Sequence, residues 1–191
     1  MTIDLDDATD FEPEPALGTV VDQDRGSLPY ALIHGESLVA CASWALGDSG
    51  VTPVDFATSW TGIRAGAEPF VLHDVLCPMT PAAFIAACVA RAVETDQVVV
   101  AFRPVTDTVK TVSPDGFVGA TLDRTGLRVV ASPIVLPASV VEALTDLPSY
   151  DFVALVEALA ARFPIEYVEA PPEARRISSE AELRVLEALT G

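Results

Sequence analysis

The chain has 191 residues, half of them hydrophobic, with a mean hydropathy of +0.39. That is ample material for the core of one domain, and it excludes a chain disordered throughout. Eleven bases against 28 acids leave a formal charge of −17, with Arg175–Arg176 the lone basic doublet, so nucleic acid is not an expected partner.

Residues 1–15 carry Asp4, Asp6, Asp7, Asp10, Glu12 and Glu14 and no base. Like-charge repulsion and few apolar side chains predict a disordered, solubilising tail there, with a single folded domain over 16–191. Leu17–Val21 reads as a buried strand and Asp22–Ser27 as a polar loop. Leu38, Val39, Cys41, Ala42 and Ala45 recur at helical spacing, with Gly47 as the stop. Phe70–His73 is a strand. Thr80-Pro81 then opens a helix through Val89, with Thr80 as N-cap. The continuous apolar run Val98–Phe102 predicts a strand buried on both faces.

Thr108–Val112 and Phe117–Leu122 flank Ser113-Pro114-Asp115-Gly116, the clearest hairpin signal in the chain. It forms the centre of an arm expected over about 104–126. Beyond it come a strand over Leu127–Ala131 and helices over Pro137–Leu144 and Phe152–Phe163, the second capped by Asp151. Ile165–Val168 is a strand. A capping box at Ser179 and Glu182 starts the last helix, whose expected buried face is Leu183, Leu186 and Leu189. Alternating strands and helices predict an α/β fold with a mainly parallel sheet.

Cys41, Cys77 and Cys88 are too few and too widely spaced for a disulfide framework or a zinc site, and buried thiols are expected. No apolar run reaches membrane-spanning length, and the N-terminus lacks the pattern of a secretory leader, so a cytoplasmic protein without a membrane partner is expected. The residues alone contain no glycine-rich dinucleotide loop, P-loop or metalloprotease helix. His34 and His73 read as packing or hydrogen-bonding residues. Asp74 follows a core strand, at the edge where open α/β sheets bind ligands. It could hold a metal ion or a sugar hydroxyl there, or bond its own loop backbone.

Val71-Leu-His-Asp74-Val-Leu-Cys77-Pro78 resembles the Val-His-Asp-Ala-Ala-Arg-Pro segment of the 2-C-methyl-D-erythritol 4-phosphate cytidylyltransferase family. Pro104-Val-Thr-Asp-Thr108-Val-Lys110 is similar to the family's Pro-Val-x-Asp-Thr-x-Lys, and Asp123-Arg124-Thr-Gly126-Leu127 to its Asp-Arg-x-Gly-Leu. Arg176-Ile-Ser178 before an acidic helix resembles its Lys-Val-Thr, and Pro29-Tyr30-Ala31-Leu32 its Pro-Lys-Ala-Phe. The resemblance implies a Rossmann-like nucleotidyltransferase fold with helices flanking the sheet and a β-hairpin arm. It implies transfer of CMP from CTP with a divalent metal such as magnesium, in isoprenoid-precursor synthesis. Asp74 would hold the metal if the chain is active.

Several departures qualify that expectation. The family's glycine-rich triphosphate loop is replaced by Asp22–Ser27, which has one glycine, adds Asp22 and Asp24, and keeps Arg25 as a remnant. Tyr30 stands for the loop lysine, and Cys77 for the arginine of Asp-Ala-Ala-Arg. The Trp44–Phe70 stretch is short, with Arg64 a relic, and Tyr150-Asp151-Phe152 replaces the family's acidic Thr-Asp-Asp/Glu-Ala. The phosphate contacts implied by the resemblance remain at Thr108, Arg124 and Arg176. The leading expectation is a catalytically degenerate relative that binds a small phosphorylated ligand or a protein partner as a homodimer through the arm. An active cytidylyltransferase and a purely structural or regulatory subunit are the alternatives.

Overall fold

The computed structural model describes residues 14–55, 57–105, 110–112, 115, 118–121 and 126–191. The expected tail, apart from Glu14 and Pro15, lies outside the described residues, as do Thr108 and Arg124 and most of the expected hairpin turn.

In chain order the elements are β1 (Ala16–Val21), β2 (Leu32–Ile33), β3 (Glu36–Ser37), α1 (Leu38–Asp48), β4 (Val51–Pro53), α2 (Trp60–Ala65), β5 (Phe70–Asp74) and α3 (Ala82–Thr95). They continue with β6 (Val98–Pro104), β7 (Lys110–Val112), β8 (Val118–Thr121), β9 (Arg128–Leu136), α4 (Ala138–Ala143), α5 (Phe152–Ala160), β10 (Ile165–Glu169) and α6 (Glu180–Thr190). Six strands form the main sheet in the order β10-β6-β9-β5-β1-β4. β1 runs parallel to β4 and β5, and β10 parallel to β6. β9 alone runs against its neighbours β5 and β6, so the expected mainly parallel sheet is present.

Side chains alternate between the two faces, as strand geometry requires. Phe70 and Leu72 pack with Val98, Val100, Ile134 and the α4–α5 residues Val140, Leu155 and Leu159. Val71, Val99 and Val135 face the other way, onto Phe84, Ile85 and Cys88 of α3. A third apolar group, with Leu38, Leu76, Ile177 and Leu183, ties α1 and α6 to the loop after β5. β7 and β8 pair antiparallel as a separate two-stranded sheet, which matches the strand portions of the expected hairpin.

Local expectations need correcting at five places. Thr80 is not the N-cap of α3: its hydroxyl donates to the Cys77 carbonyl at 2.8 Å, and Pro81 occupies the cap. Gly47 does not stop α1, which continues to Asp48 with Ser49 as C-cap. Leu189 is 47% exposed, because α6 buries only Leu183 and Leu186. α5 ends at Ala160, short of Phe163. β9 extends five residues past Ala131, straight through Ser132-Pro133, and β4 and α2 were not foreseen.

Candidate functional site

Asp74 ends β5 at the C-terminal edge of the parallel strands, and its side chain is fully buried. Its own loop takes part of its bonding capacity: the Leu76 N–H donates to Oδ1 at 3.0 Å, and the Cys77 N–H to its backbone carbonyl at 2.8 Å. The rest goes to two arginines. Arg25 donates from Nε to Oδ1 at 3.2 Å and from Nη2 to Oδ2 at 3.4 Å, while Arg176 donates from Nε to Oδ2 at 2.9 Å.

The backbone delivers both guanidiniums. Asp24 and Gly26 adopt left-handed conformations with φ of 58° and 60°, folding the Asp22–Ser27 loop over so that Arg25 points inward. The side chain of Arg25 is only 7% exposed, and its Nη2 also donates to the Tyr150 carbonyl at 3.4 Å. Arg176 follows β10 in a segment pinned to the Asp74 loop by the Ile177 N–H donating to the Leu76 carbonyl at 2.9 Å. Beyond it, Ser179 caps α6, and Glu182 accepts from the Ser178 N–H at 2.6 Å and the Ser178 hydroxyl at 2.8 Å. These bonds hold the Glu182 carboxyl below its usual range.

Behind Asp74 the core is polar. Ser132 of β9 accepts from the Asp74 N–H at 3.0 Å and is hydrogen-bonded to His73 Nδ1. His73 is completely buried and its Nε2 has no partner, so burial pushes its pKa down to about 4 and the ring is neutral. Cys77 is also buried, which pushes its thiol up and leaves it unreactive. His34 lies on the surface, against Thr190 Oγ1 at 2.8 Å, in the hydrogen-bonding role expected of it.

Those partners bear on the divalent cation that the fold implies. Both oxygens of Asp74 already accept from guanidiniums, and no group of three or more His, Cys, Asp or Glu side chains gathers among the described residues. A hard dication needs several oxygen ligands, and this donor set does not fit one.

Two hollows border these arginines and another lies beside α2. A cleft of about 630 Å³ is lined by Asp24, Arg25, Tyr30, Arg176 and Glu180 among others, mixing both signs of charge. A hollow of about 440 Å³ beside α2 is lined by Trp60, hydroxyl residues, Asp55 and Asp146, with no base among the described residues. Neither suits a triphosphate. The third, of about 210 Å³, lies at the base of the arm, where Arg103, Arg175 and Arg176 line it with Pro104, Val129 and Leu189 and, among the described residues, no carboxylate. Arg176 thus touches both Asp74 and this basic groove.

Of the residues singled out from sequence, Arg25, Asp74 and Arg176 are brought together. Arg64 stands apart, exposed in the last turn of α2. Arg103 and Arg175 were not singled out as site residues. The Arg175–Arg176 doublet was the available signal for one of them; nothing in the run Phe102-Arg103-Pro104 pointed to the other.

Comparison with known proteins matches residues 55–162 to the family model described as IspD, 2-C-methyl-D-erythritol 4-phosphate cytidylyltransferase. The chain is similar to the protein of that name from Nocardia farcinica, 36% identical over 66% of this chain and 58% of the relative. It is also 33% identical to the one from Rhodococcus opacus over 73% of this chain and 65% of the relative. The matched stretch therefore spans little more than half to two thirds of these relatives. Among solved structures, the fold is similar to that of 2-C-methyl-D-erythritol 4-phosphate cytidylyltransferase from Thermus thermophilus, with a TM-score of 0.65 and 19% identity over 93% of this chain and 98% of that one. A synthase from Anaerococcus prevotii superposes with a TM-score of 0.64 over 93% and 96%.

Proposed function

The chain belongs to the 2-C-methyl-D-erythritol 4-phosphate cytidylyltransferase family, and we propose that it holds a small phosphorylated ligand without transferring a nucleotide. The observation that carries this reading is the closure of Asp74 by Arg25 and Arg176. In this fold the edge beyond β1 and β5 is where a nucleotide would lie. Here Asp22 and Asp24 occupy the loop that would meet its phosphates, and Arg25 is spent on an internal carboxylate. At a few ångströms each like charge opposes a polyanion by about 1–4 kcal/mol at a partly exposed site. Positioning and charge neutralisation do most of the work in such transfers, so a site with these signs lacks its main source of rate.

The groove of Arg103, Arg175 and Arg176 supports the ligand half of the reading. Guanidinium forks match phosphate oxygens, and charge-assisted bonds of about 1.5–3 kcal/mol each are enough for micromolar binding. In a homodimer joined through the arm, Thr108 and Arg124 would complete that site. The same protein would sediment as a dimer at micromolar concentration.

The test is release of pyrophosphate from CTP–Mg²⁺ in the presence of methylerythritol phosphate, alongside calorimetric titration with each compound. The expected result is no pyrophosphate above background, no heat with CTP, and binding of the sugar phosphate. Turnover would instead establish the second reading, an active cytidylyltransferase, which the 36% identity to a relative bearing that name favours. The absence of any binding would leave the structural-subunit reading.

A further inference from the structure

The groove at the base of the arm is more basic than a phosphate monoester needs. Arg176 shares Asp74 with Arg25, so two guanidiniums meet one carboxylate and a positive charge is left over. Arg103 donates from Nη1 to the Ala170 carbonyl at 2.6 Å, an oxygen that fixes its direction without cancelling its charge, and it reaches Glu169 only at 3.9 Å. Arg175 is in no hydrogen bond or ion pair through its side chain among the described residues. Glu182 senses both Arg175 and Arg176, but its carboxylate is bonded to Ser178 and pairs with neither. Arg103, Arg175 and the Arg25–Asp74–Arg176 trio thus each present about one positive charge to the groove. A phosphate monoester brings only about −1.5 to −2 at neutral pH, which leaves about one guanidinium unanswered.

The walls limit what else the ligand contains. Val129 is the register partner of Arg103, so the two stand side by side on one face of the sheet. Val129 is 48% exposed and Leu189 47% exposed, and with Pro172 they offer apolar contact to a carbon chain. A volume of about 210 Å³ equals about seven waters at about 30 Å³ each, and falls below the about 300 Å³ at which pockets for larger organic ligands begin. We propose that the groove takes a phosphorylated short-chain acid, carrying a carboxylate as well as a phosphate on about three or four carbons, with Arg103 and Arg175 selecting for the second anionic group. This names the ligand class for the phosphate reading above and rests on it.

The sign of the effect is diagnostic. At long range a chain of charge −17 repels a trianion more than a dianion, so an added carboxylate weakens binding unless guanidiniums at the site answer it. Arg103 and Arg176 are each held by a protein oxygen and keep further N–H donors free of that bond, since a guanidinium has five. Donors fixed in this way lose little freedom when the ligand arrives.

The experiment is calorimetric titration of the full chain at about 0.15 M salt with two probes that differ at one carbon. Glycerol 3-phosphate carries a CH₂OH group where 3-phosphoglycerate carries a carboxylate. The expected result is that 3-phosphoglycerate binds about tenfold more tightly, as one additional charge-assisted contact allows. Arg103→Gln keeps an amide donor for the Ala170 carbonyl, and Arg175→Gln removes no bond, so thermal melts should show both variants folded. Each should reduce the preference, and the double variant should abolish or reverse it. Arg64→Gln, which changes the net charge equally but lies on α2, should leave the preference intact. Equal or weaker binding of 3-phosphoglycerate by the unmodified chain overturns the inference and leaves the phosphate reading standing. A preference that survives in the double variant overturns the role given to the two arginines. Binding of neither probe overturns the phosphate reading itself.

Discussion

Asp74→Asn separates a structural carboxylate from one kept for a ligand. Asparagine retains the oxygen that accepts from the Leu76 N–H, so the substitution isolates the charge facing the two arginines. Arg25, with its side chain only 7% exposed, would lose its carboxylate where little water can replace it. Removing one partner of such a buried pair costs about 3–5 kcal/mol. Arg176 is 33% exposed, and solvent screening reduces its share to about 1 kcal/mol or less. The expected loss is therefore about 4 kcal/mol, or a fall of about 10 °C in melting temperature for a chain of this size. Urea unfolding at pH 7 would measure it, followed by the fluorescence of Trp60, which is packed in the core with its indole N–H donating to the Leu144 carbonyl at 2.9 Å. A carboxylate held ready for a cation behaves in the opposite sense, since neutralising it relieves unsatisfied charge. A change under about 1 kcal/mol, or a gain in stability, would refute the argument.

Other expectations follow from the same geometry. His73 is neutral in the fold, with a pKa of about 4 against an ordinary 6.5, so the unfolded chain binds the extra proton. Its contribution is intact above pH 6.5 and falls by up to about 1.4 kcal/mol per unit as pH drops toward 4; His73→Gln should remove that slope between pH 6.5 and 5, as denaturant titrations at several pH values would show. Gly18→Ala would bring a Cβ to 2.7 Å from Val51 Cγ1 and 3.0 Å from the Val71 carbonyl oxygen, in the middle of three paired strands. A cost of about 1–3 kcal/mol is expected from calorimetry, and a neutral result would mean that β4 moves freely. Asp151→Ala removes the oxygen that accepts from the Ala154 N–H at 2.9 Å, with an expected loss of about 1 kcal/mol in the same assay.

The sheet's centre was legible because Val98–Phe102 of β6 and Phe70–Leu72 of β5 are apolar runs, the mark of strands covered on both faces. β9 was read short because Ser132-Pro133 looks like a break; Pro lacks the N–H that a central strand normally uses. The polar Ser132 is there for Asp74 and His73, a demand that only the assembled core reveals. β4 and α2, at three and six residues, are too brief for periodicity to register. Asp74, Arg25 and Arg176 each stood out singly, one by its place after a strand and two by the family resemblance. Their mutual pairing spans 49 and 102 residues of sequence, and no local pattern encodes it. Arg103 was invisible for the same reason: its role depends on the segment after β10 coming back beside it.

The antiparallel course of β9 has a consequence for how the family can vary. The chain leaves the sheet at Pro104 and returns at Arg128, and these two residues are direct register partners on neighbouring strands. The two ends of the intervening segment are therefore clamped side by side. Arg128 reinforces the clamp by stacking its guanidinium over Phe102 at 4.5 Å and Tyr167 at 5.1 Å. Lengthening a closed excursion costs only about 0.6 kcal/mol per doubling. Natural variation can therefore extend, shorten or exchange this insert without disturbing strand order, and a designer could graft a foreign hairpin onto the same two anchor points.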